Sequence, residues 1–405
     1  MSSPQNTTAP TPQSSAGPSL FWLCAGFLLA GMGTILLGPI LPALSQEWHL
    51  PDYQAGLLLF AKFLGAFVGG STVPNKLRHG IFFGLLATCA GLSAFAYAGG
   101  LFTGSIALFV TGVGLGQLIA STNILAGRRY NKRTGSALSF INFFWSLGAV
   151  CIGLLVAALL PRHTLREFLL SFAIAFIVIA LCGRLHSTHT DDSEMPAEET
   201  TTIVLPRRIL ICFCVMLFLY GGLETCLSQW ITTFTKRYAG GHVLAGQSAI
   251  VVLWTALTLG RALSSLALRH MRESTLQRAA MLCSAVLVPV LASCSSAKTL
   301  SITCVLLGLS LSPFFPSTFA LLLRRRPPAR VAGFILAVSG LGAASLTWLM
   351  GVISSQANSL RVAMAVPFVA ALGLLAASFW LPPLEAASTV FPKVSKLRTQ
   401  AKVSH

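Results

Sequence analysis

Charged side chains are scarce in this 405-residue chain. Lys, Arg, Asp and Glu together make up 10% of the residues, whereas hydrophobic residues make up 54%, and the mean hydropathy is +0.76. A soluble domain normally carries about a quarter charged residues. The composition therefore excludes an ordinary soluble globular protein, and we predict that most of the chain lies in a lipid bilayer.

The chain also lacks the short motifs of nucleotide-driven and hydrolytic sites. It contains no Gly-x4-Gly-Lys-Ser/Thr sequence, no His-Glu-x-x-His sequence and no nucleophile elbow. Its ten cysteines lie in apolar stretches, where cysteine usually behaves as a small hydrophobic residue, and Cys212 and Cys214 have no histidine or carboxylate neighbours to make a metal site. We predict that the protein is not an enzyme and holds neither a metal ion nor a cofactor.

Long apolar stretches occupy most of the chain. Nearly all of them reach the roughly 20 residues that a helix needs to cross about 30 Å of hydrocarbon. We predict an all-α polytopic membrane protein with twelve transmembrane helices. The predicted spans are residues 19–44, 53–73, 80–98, 103–126, 135–160, 165–182, 209–235, 244–268, 276–294, 299–323, 331–353 and 360–381.

The excess of basic residues follows the predicted topology. With the amino terminus in the cytoplasm, 20 of the 28 Lys and Arg fall in cytoplasmic segments and 6 in external ones, and the other two are Lys62 and Arg261 within spans. This is the positive-inside pattern, and an even number of spans returns the carboxyl terminus to the cytoplasm. We therefore predict a multi-pass protein of a bacterial inner membrane, with both termini cytoplasmic and no nucleic-acid partner.

A polar segment divides the chain into two parts. Residues 184–208 contain five of the eleven acidic residues and separate six predicted spans from six others. Such a composition is typical of a solvated linker. We predict a disordered cytoplasmic tail at residues 1–18, two six-helix halves at 19–183 and 209–382, and a basic cytoplasmic tail at 383–405.

The two halves are weakly repeated at an offset of about 195 residues. Span four contains GLGQLIASTN and span ten contains GLSLSPFFPSTF, each with a Gly-Leu start and a late Ser-Thr pair. Span five has Asn142 nine residues after Arg133, and span eleven has Ser339 nine residues after Arg330. The common order of these matches indicates an internal duplication.

A duplicated six-plus-six helical chain with a polar middle segment resembles the major facilitator superfamily. Four segments are similar to its branch of fucose:proton symporters and glucose-type permeases: GMGTILLGPILPAL at 31–44, SALSFINFFWSLGA at 136–149, YGGLETCLSQWITTF at 220–234 and SPFFPSTFALLLRR at 312–325. The resemblance implies a pseudo-symmetric major facilitator fold with a substrate site near the membrane midplane, between the halves. We expect a monomer.

The chain departs from that family in two respects. The loops after spans two and eight usually carry a Gly-x-x-x-Asp-Arg-x-Gly latch, but here they read GGSTVPNKLRHG at 69–80 and GRALSSLALRH at 260–270. Only Arg261 is kept, so we expect it to serve as a gate or latch toward the cytoplasmic end of span eight. Fucose symporters also carry acidic residues in spans one and four, where this chain has none, so their proton site cannot be transferred.

Glu224 is the only acidic residue near the middle of a predicted span. A charge at this depth is costly, so its retention indicates function. Glu224 shares a helix face with Tyr220 and Ser228. We predict that Glu224 binds and releases a proton; the alternative is a structural carboxylate, held by a hydrogen bond between helices or by Lys62.

Lys62 is the other charge near mid-depth, and it shares a helix face with Gly65 and Gly69. Glycines at this spacing permit close approach of a neighbouring helix. Three interpretations stay open: an ion pair with Glu224, a counter-charge for an anionic substrate, or a lysine that snorkels to the interface.

Neutral polar and aromatic residues on several spans have the chemistry that a sugar needs. Amides bind hydroxyl groups as donors and acceptors, and an indole ring stacks on the apolar face of a sugar. Each of these residues alone is also compatible with a purely interhelical role. The predicted substrate-binding residues are Thr34, Lys62, Gln117, Asn123, Asn142, Trp145, Tyr220, Glu224, Ser228, Gln229 and Trp230.

The leading functional hypothesis is a secondary active transporter that imports a small polar solute, a sugar or polyol, by proton symport and alternating access. Its partners are then the solute, a proton and the lipid bilayer. One alternative is an organic-anion transporter that uses Lys62 as counter-charge. The others are an exporter of hydrophobic compounds, which the polar residues in the spans disfavour, and a membrane receptor or scaffold without transport.

Overall fold

A computed structural model describes residues 20–129, 134–187, 205–240, 243–267, 273–323, 325, 327 and 329–380. All regular structure within these ranges is helical. The helices, numbered in chain order, are α1 (Leu20–Ile35), α2 (Leu37–Glu47), α3 (Asp52–Ser71), α4 (Leu77–Ala96), α5 (Leu101–Arg129), α6 (Thr134–Leu159), α7 (Leu165–Ser187), α8 (Arg207–Tyr238), α9 (Val243–Ala267), α10 (Glu273–Ser293), α11 (Ala297–Leu311), α12 (Phe314–Leu323), α13 (Ala329–Ala357), α14 (Leu360–Ala363) and α15 (Ala365–Trp380).

Consecutive helices combine into twelve membrane passes. α1 and α2 form one pass with a break at Leu36, α11 and α12 form a second broken pass, and α14 and α15 form the last. Ten passes are long and apolar enough to span a bilayer, by length and composition, and two shorter apolar helices, Ser248–Ser264 and Ala297–Leu311, account for the others. The predicted all-α, twelve-pass architecture is confirmed for the described residues.

Side chains at two helix starts supply hydrogen bonds that the first turn lacks. Before α7, the Thr164 N–H donates to the Glu167 carboxylate at 3.1 Å, and the Glu167 N–H donates to the Thr164 hydroxyl at 3.2 Å. This reciprocal arrangement is a capping box. At the start of α11, the Ser296 hydroxyl accepts from the N–H of Thr299. These polar caps mark where two passes begin.

Glycines let α3 and α5 pack backbone to backbone. A Cβ atom added at Gly65 or Gly69 of α3 would overlap the backbone of Phe109 or Val113 in α5. A Cβ atom added at Gly112 of α5 would overlap the backbone of α3 in turn. Close approach through small residues is typical of helix pairs in membranes, where packing rather than burial from water drives association.

The passes α1–α7 (the N-terminal set) and α8–α15 (the C-terminal set) meet along an extended interface. α3 packs against α13, α6 against α9, and α2 against α8. The predicted tails at 1–18 and 383–405 lie outside the described residues, as does most of the predicted linker at 184–208.

Polar contacts join the two sets at the end where α3 begins. Asp52, in the first turn of α3, accepts two hydrogen bonds from the Arg237 guanidinium at the end of α8, one of them at 2.6 Å. Ser354 of α13 also donates to Asp52. The Tyr53 N–H donates to the Ser355 hydroxyl at 2.9 Å. Three helices from the two sets are therefore held together at this end.

Candidate functional site

A cavity of about 200 Å³ lies between the two sets of helices. Its walls come from α1, α3, α5 and α6 on one side and from α8, α9, α12 and α13 on the other. Within the described residues, α4, α7, α10 and α15 contribute nothing to the wall. Seven of the eleven predicted substrate-binding residues line the cavity: Thr34, Lys62, Asn123, Asn142, Trp145, Glu224 and Ser228.

Glu224 on α8 and Arg261 on α9 form an ion pair in the cavity wall. Arg261 Nη2 lies 3.4 Å from Glu224 Oε1, and the two side chains are 17% and 16% exposed. Charges this deep are tolerated when each compensates the other. Among the described residues Glu224 pairs with Arg261 and not with Lys62, so the ion pair that sequence analysis left open is not the one observed.

Two hydroxyl groups orient this ion pair. The Tyr220 hydroxyl donates to Glu224 Oε1 at 3.2 Å. Arg261 Nη1 donates to the hydroxyl of Ser146 on α6. Because Ser146 belongs to the N-terminal set, the charge pair is tied to both sets of helices.

Lys62 on α3 is a second buried cation in the wall, with a side chain only 2% exposed. Its ammonium donates to the carbonyl oxygen of Thr34 at 2.7 Å and lies 5.2 Å from the centroid of the Phe63 ring. Gln229 Nε2 donates to the same carbonyl at 3.2 Å. No carboxylate in the described part of the chain forms an ion pair with Lys62.

Amides and indole rings lie beside these charges. Asn142 Nδ2 donates to Asn123 Oδ1 at 3.4 Å, which links α6 to α5. The rings of Trp145 and Trp254 meet edge to face, with centroids 5.2 Å apart. The Arg261 guanidinium lies 5.9 Å from the centroid of Trp145. The cavity therefore offers hydrogen-bond donors and acceptors next to flat apolar surfaces.

Four predicted substrate-binding residues are not among the lining residues of the described chain: Gln117, Tyr220, Gln229 and Trp230. Trp230 is buried and donates from Nε1 to the carbonyl of Thr347 at 3.2 Å, so it serves packing between α8 and α13. Successive residues of a helix turn by about 100°. Ser228 lines the cavity, whereas the next residue, Gln229, donates from Nε2 to the Thr34 carbonyl.

Arg261, for which we expect a gate or latch role, has its charged group at the cavity. Its guanidinium is in the cavity wall, against Glu224, Ser146 and Trp145. The position of Arg261 along α9 does not reveal this, because a long side chain carries its charge several ångströms from its own backbone. The sequence thus indicates the residue but not the place of its charged group, and the gate or latch role stays a prediction.

The lining residues that the sequence-based predictions do not contain include Trp254, Phe315 and Ser339. For Ser339 a signal existed, because the internal repeat matches it to Asn142. Trp254 and Phe315 carried no such signal, since an aromatic residue in an apolar span has the same pattern whether it faces lipid, protein or a cavity.

Comparisons with known proteins agree with this architecture. The family model of the Major Facilitator Superfamily matches residues 23–332. The 4-hydroxybenzoate transporter PcaK of Pseudomonas putida is 28% identical over 159 residues, which cover 38% of this chain and 36% of that protein. The chain thus aligns with about a third of the length of this curated relative.

Solved structures share the fold over nearly the whole length. A D-xylose-proton symporter superposes with a TM-score of 0.70 at 15% identity, covering 89% of this chain and 96% of the other. The transporter FucP in its outward conformation gives 0.62 at 17% identity, covering 90% and 98%. These superpositions show a shared fold, and at identities this low they show the fold alone. The expected six-plus-six arrangement is confirmed.

Proposed function

Because this chain belongs to the Major Facilitator Superfamily, a superfamily that includes solved transporters, we propose that it is a secondary active transporter for a small polar solute. The solute binds in the cavity between the two sets of helices and crosses by alternating access. A proton on Glu224 drives import. The protein acts as a monomer in a bacterial inner membrane, with both termini in the cytoplasm.

The ion pair of Glu224 and Arg261 is the observation that supports this proposal most directly. It lies in the cavity wall, and Ser146 joins Arg261 to the opposite set of helices. Protonation removes the charge of Glu224 and so weakens its attraction for Arg261. A proton therefore binds Glu224 with one affinity in conformations that keep these contacts and with another in conformations that break them. Such a difference is the condition for coupling proton binding to a conformational change.

A sugar or polyol is the first candidate solute. The Asn123 and Asn142 amides and the Trp145 ring are the groups that bind sugar hydroxyls and the apolar face of a sugar ring. The fold neighbours include a protein named as a D-xylose-proton symporter, which agrees with this choice at the level of the fold.

Accumulation in proteoliposomes tests the role of Glu224. Sugars and polyols are first screened for stabilisation of the purified protein, because a ligand that binds the native state raises its apparent stability. With that solute, Glu224→Gln should still exchange labelled molecules across the membrane yet fail to concentrate them under a pH gradient. Glu47→Gln, which changes an exposed carboxylate at the end of α2, is the matched control. Full accumulation by Glu224→Gln would refute proton coupling through this residue.

Transport of an organic anion is a second candidate. The cavity wall contains two cations, Lys62 and Arg261, against the single carboxylate of Glu224. PcaK, with which this chain shares 28% identity over part of its length, is named as a transporter of 4-hydroxybenzoate, an organic anion.

A further inference from the structure

The charged residues of the cavity wall do not cancel. Protonated Lys62 and Arg261 each carry one positive charge, and ionised Glu224 carries one negative charge; no other Lys, Arg, Asp or Glu of the described chain lines the cavity. The wall therefore has an excess of one positive charge in a largely apolar region. A ligand with one negative charge would compensate Lys62, because a buried charge without a partner is unfavourable.

Lys62 is the cation with donors to spare. Arg261 is engaged by Glu224 at 3.4 Å and by Ser146. The Lys62 ammonium makes one hydrogen bond within the described chain, to the Thr34 carbonyl at 2.7 Å. An ammonium has three N–H donors, so two are left for the oxygens of a carboxylate.

Aromatic rings form much of the remaining wall. Trp145 and Trp254 meet edge to face across the two sets of helices, with centroids 5.2 Å apart. Phe315 also lines the cavity, and Phe63 lies beside the Lys62 ammonium. Rings arranged in this way pack well against another flat apolar ring. The wall thus pairs one uncompensated cation with surfaces suited to an aromatic body.

We propose that the cavity binds an aromatic monocarboxylate, with the carboxylate on Lys62 and the ring against Trp145 and Trp254. This inference rests on the proposed function, because it narrows the second candidate solute, an organic anion, at the same proton-coupled site. One monoanion and one proton on Glu224 enter together, so the loaded site has the same net charge as the empty site with Glu224 ionised. Transport is therefore electroneutral.

A neutral sugar would have a different electrical signature. Its symport with one proton moves one net charge in each cycle, so the membrane potential contributes to accumulation. For one charge, 100 mV is equivalent to about a 50-fold concentration ratio. Charge movement during transport therefore separates the two substrate classes.

Binding of benzoate and benzamide to the purified full-length protein tests the role of charge. The two probes share a ring and a similar size, but benzamide is neutral. We expect benzoate to raise the unfolding temperature and to bind about 10- to 100-fold more tightly than benzamide, as hydrogen bonds to charged groups are the stronger ones. Equal affinities in the unmodified protein, or stabilisation by D-xylose without stabilisation by benzoate, would overturn the inference.

Variants locate the anion site. Lys62→Met should remove most of the preference for benzoate over benzamide. Lys298→Met, at the exposed start of α11, should leave that preference unchanged. A preference retained in full by Lys62→Met would show that the carboxylate binds elsewhere. The comparison of probes on the unmodified protein stays decisive even if Lys62→Met does not fold.

Currents on a solid-supported membrane test the charge balance. We expect neither benzoate nor D-xylose to give a sustained current under a pH gradient. A sustained xylose current would overturn the substrate class while supporting proton-coupled transport, and a benzoate current lost in Lys62→Met would overturn electroneutrality. Failure of the proposed function has a separate sign, namely proton-driven accumulation that is unchanged in Glu224→Gln.

Discussion

Glu224 and Arg261 compensate each other in the cavity wall, with side chains 16% and 17% exposed. Removal of one partner of a buried pair leaves the other uncompensated and typically costs about 3–5 kcal/mol. We expect a cost near the lower end for Arg261→Met, because some water reaches the site. The measurement is the thermal unfolding of the purified protein in detergent.

Replacement of both residues provides the control for that prediction. In the double variant Arg261→Met, Glu224→Met no charge is left behind, so much of the stability lost in Arg261→Met should return. The strong non-additivity is the expected sign of a coupled pair. If the stability lost in the double variant equals the sum of the losses in Arg261→Met and in Glu224→Met, the pairing seen between α8 and α9 is contradicted.

Asn142 offers a binding test at a single side chain. Its amide faces the cavity and donates to Asn123 at 3.4 Å. Loss of a hydrogen bond to a buried ligand costs about 1–3 kcal/mol, so Asn142→Ala should weaken solute binding by roughly 5- to 150-fold. Gln117→Ala removes a half-buried amide on α5 outside the cavity wall and should change affinity little. Equal effects of the two substitutions in a binding titration would argue against this cavity as the site.

The direction in which a side chain points was the least predictable property of the individual residues. The cost of a mid-membrane charge singled out Glu224 and Lys62 from sequence alone, and both line the cavity. Gln229, on the same helix as Glu224, supports the Thr34 carbonyl instead. The packing of α8 against its neighbouring helices, which the sequence pattern does not report, decides which of these side chains reaches the cavity.

The close backbone contact between α3 and α5 through glycines can be tested by substitution. Gly112→Ala places a methyl group against the backbone of Lys62, and neither backbone can move without its whole helix. Overpacking of this kind typically costs about 1–3 kcal/mol. Gly333→Ala in α13 meets only Ile124 Cδ1, at 3.8 Å, and should be neutral or slightly stabilising. A lower unfolding temperature for Gly112→Ala than for Gly333→Ala would support the close backbone contact between α3 and α5. The reverse result would contradict it.

Helix breaks were not predicted, although their chemical cause is visible in the sequence. The first predicted span, 19–44, is interrupted at Leu36, and Pro39 explains the break because its ring clashes with the carbonyl four residues earlier and it donates no backbone hydrogen bond. Pro313 separates α11 from α12 in the same way. Hydropathy averages over about 20 residues detect a pass but not an interruption within it.

Topology is a property of the whole molecule that the charge distribution predicts. In a variant without the ten native cysteines, a single cysteine at residue 190 in the acidic segment should react with a membrane-impermeant thiol reagent only from the cytoplasmic side. The reason is the bias of Lys and Arg toward cytoplasmic segments. A cysteine at Tyr53, which the same topology places outside, serves as the opposite control. Reaction of residue 190 from outside intact cells would show that the predicted topology is inverted.

The pairing of the two sets of helices could not be derived from the sequence. Twelve passes and their division into six plus six followed from hydropathy and the acidic segment. The contact of Asp52 with Arg237 joins residues 185 positions apart. No local pattern reports such a partner, because it depends on the angle at which the two sets meet.

Asp52 and Arg237 lead to a prediction about the conformation of the whole molecule. They join α3 and α8 at the end that the charge bias places outside, and Ser354 of α13 adds to the same contact. Arg237 is 41% exposed, so we assign the pair about 1 kcal/mol at most. Asp52→Asn should therefore raise the population open to the outside by up to about fivefold.

A cysteine at the cavity residue Ser339, in a background without native cysteines, measures that population as its rate of reaction with an impermeant thiol reagent added outside. The rate should rise in Asp52→Asn and return toward its starting value in the charge-reversed double variant Asp52→Arg, Arg237→Asp. Lys236→Gln, one residue before Arg237 and without a charged partner in the described chain, should leave the rate unchanged. If Asp52→Asn reacts no faster than Lys236→Gln, this ion pair does not contribute to closure, and the packing of α3 against α13 has to hold that end shut by itself.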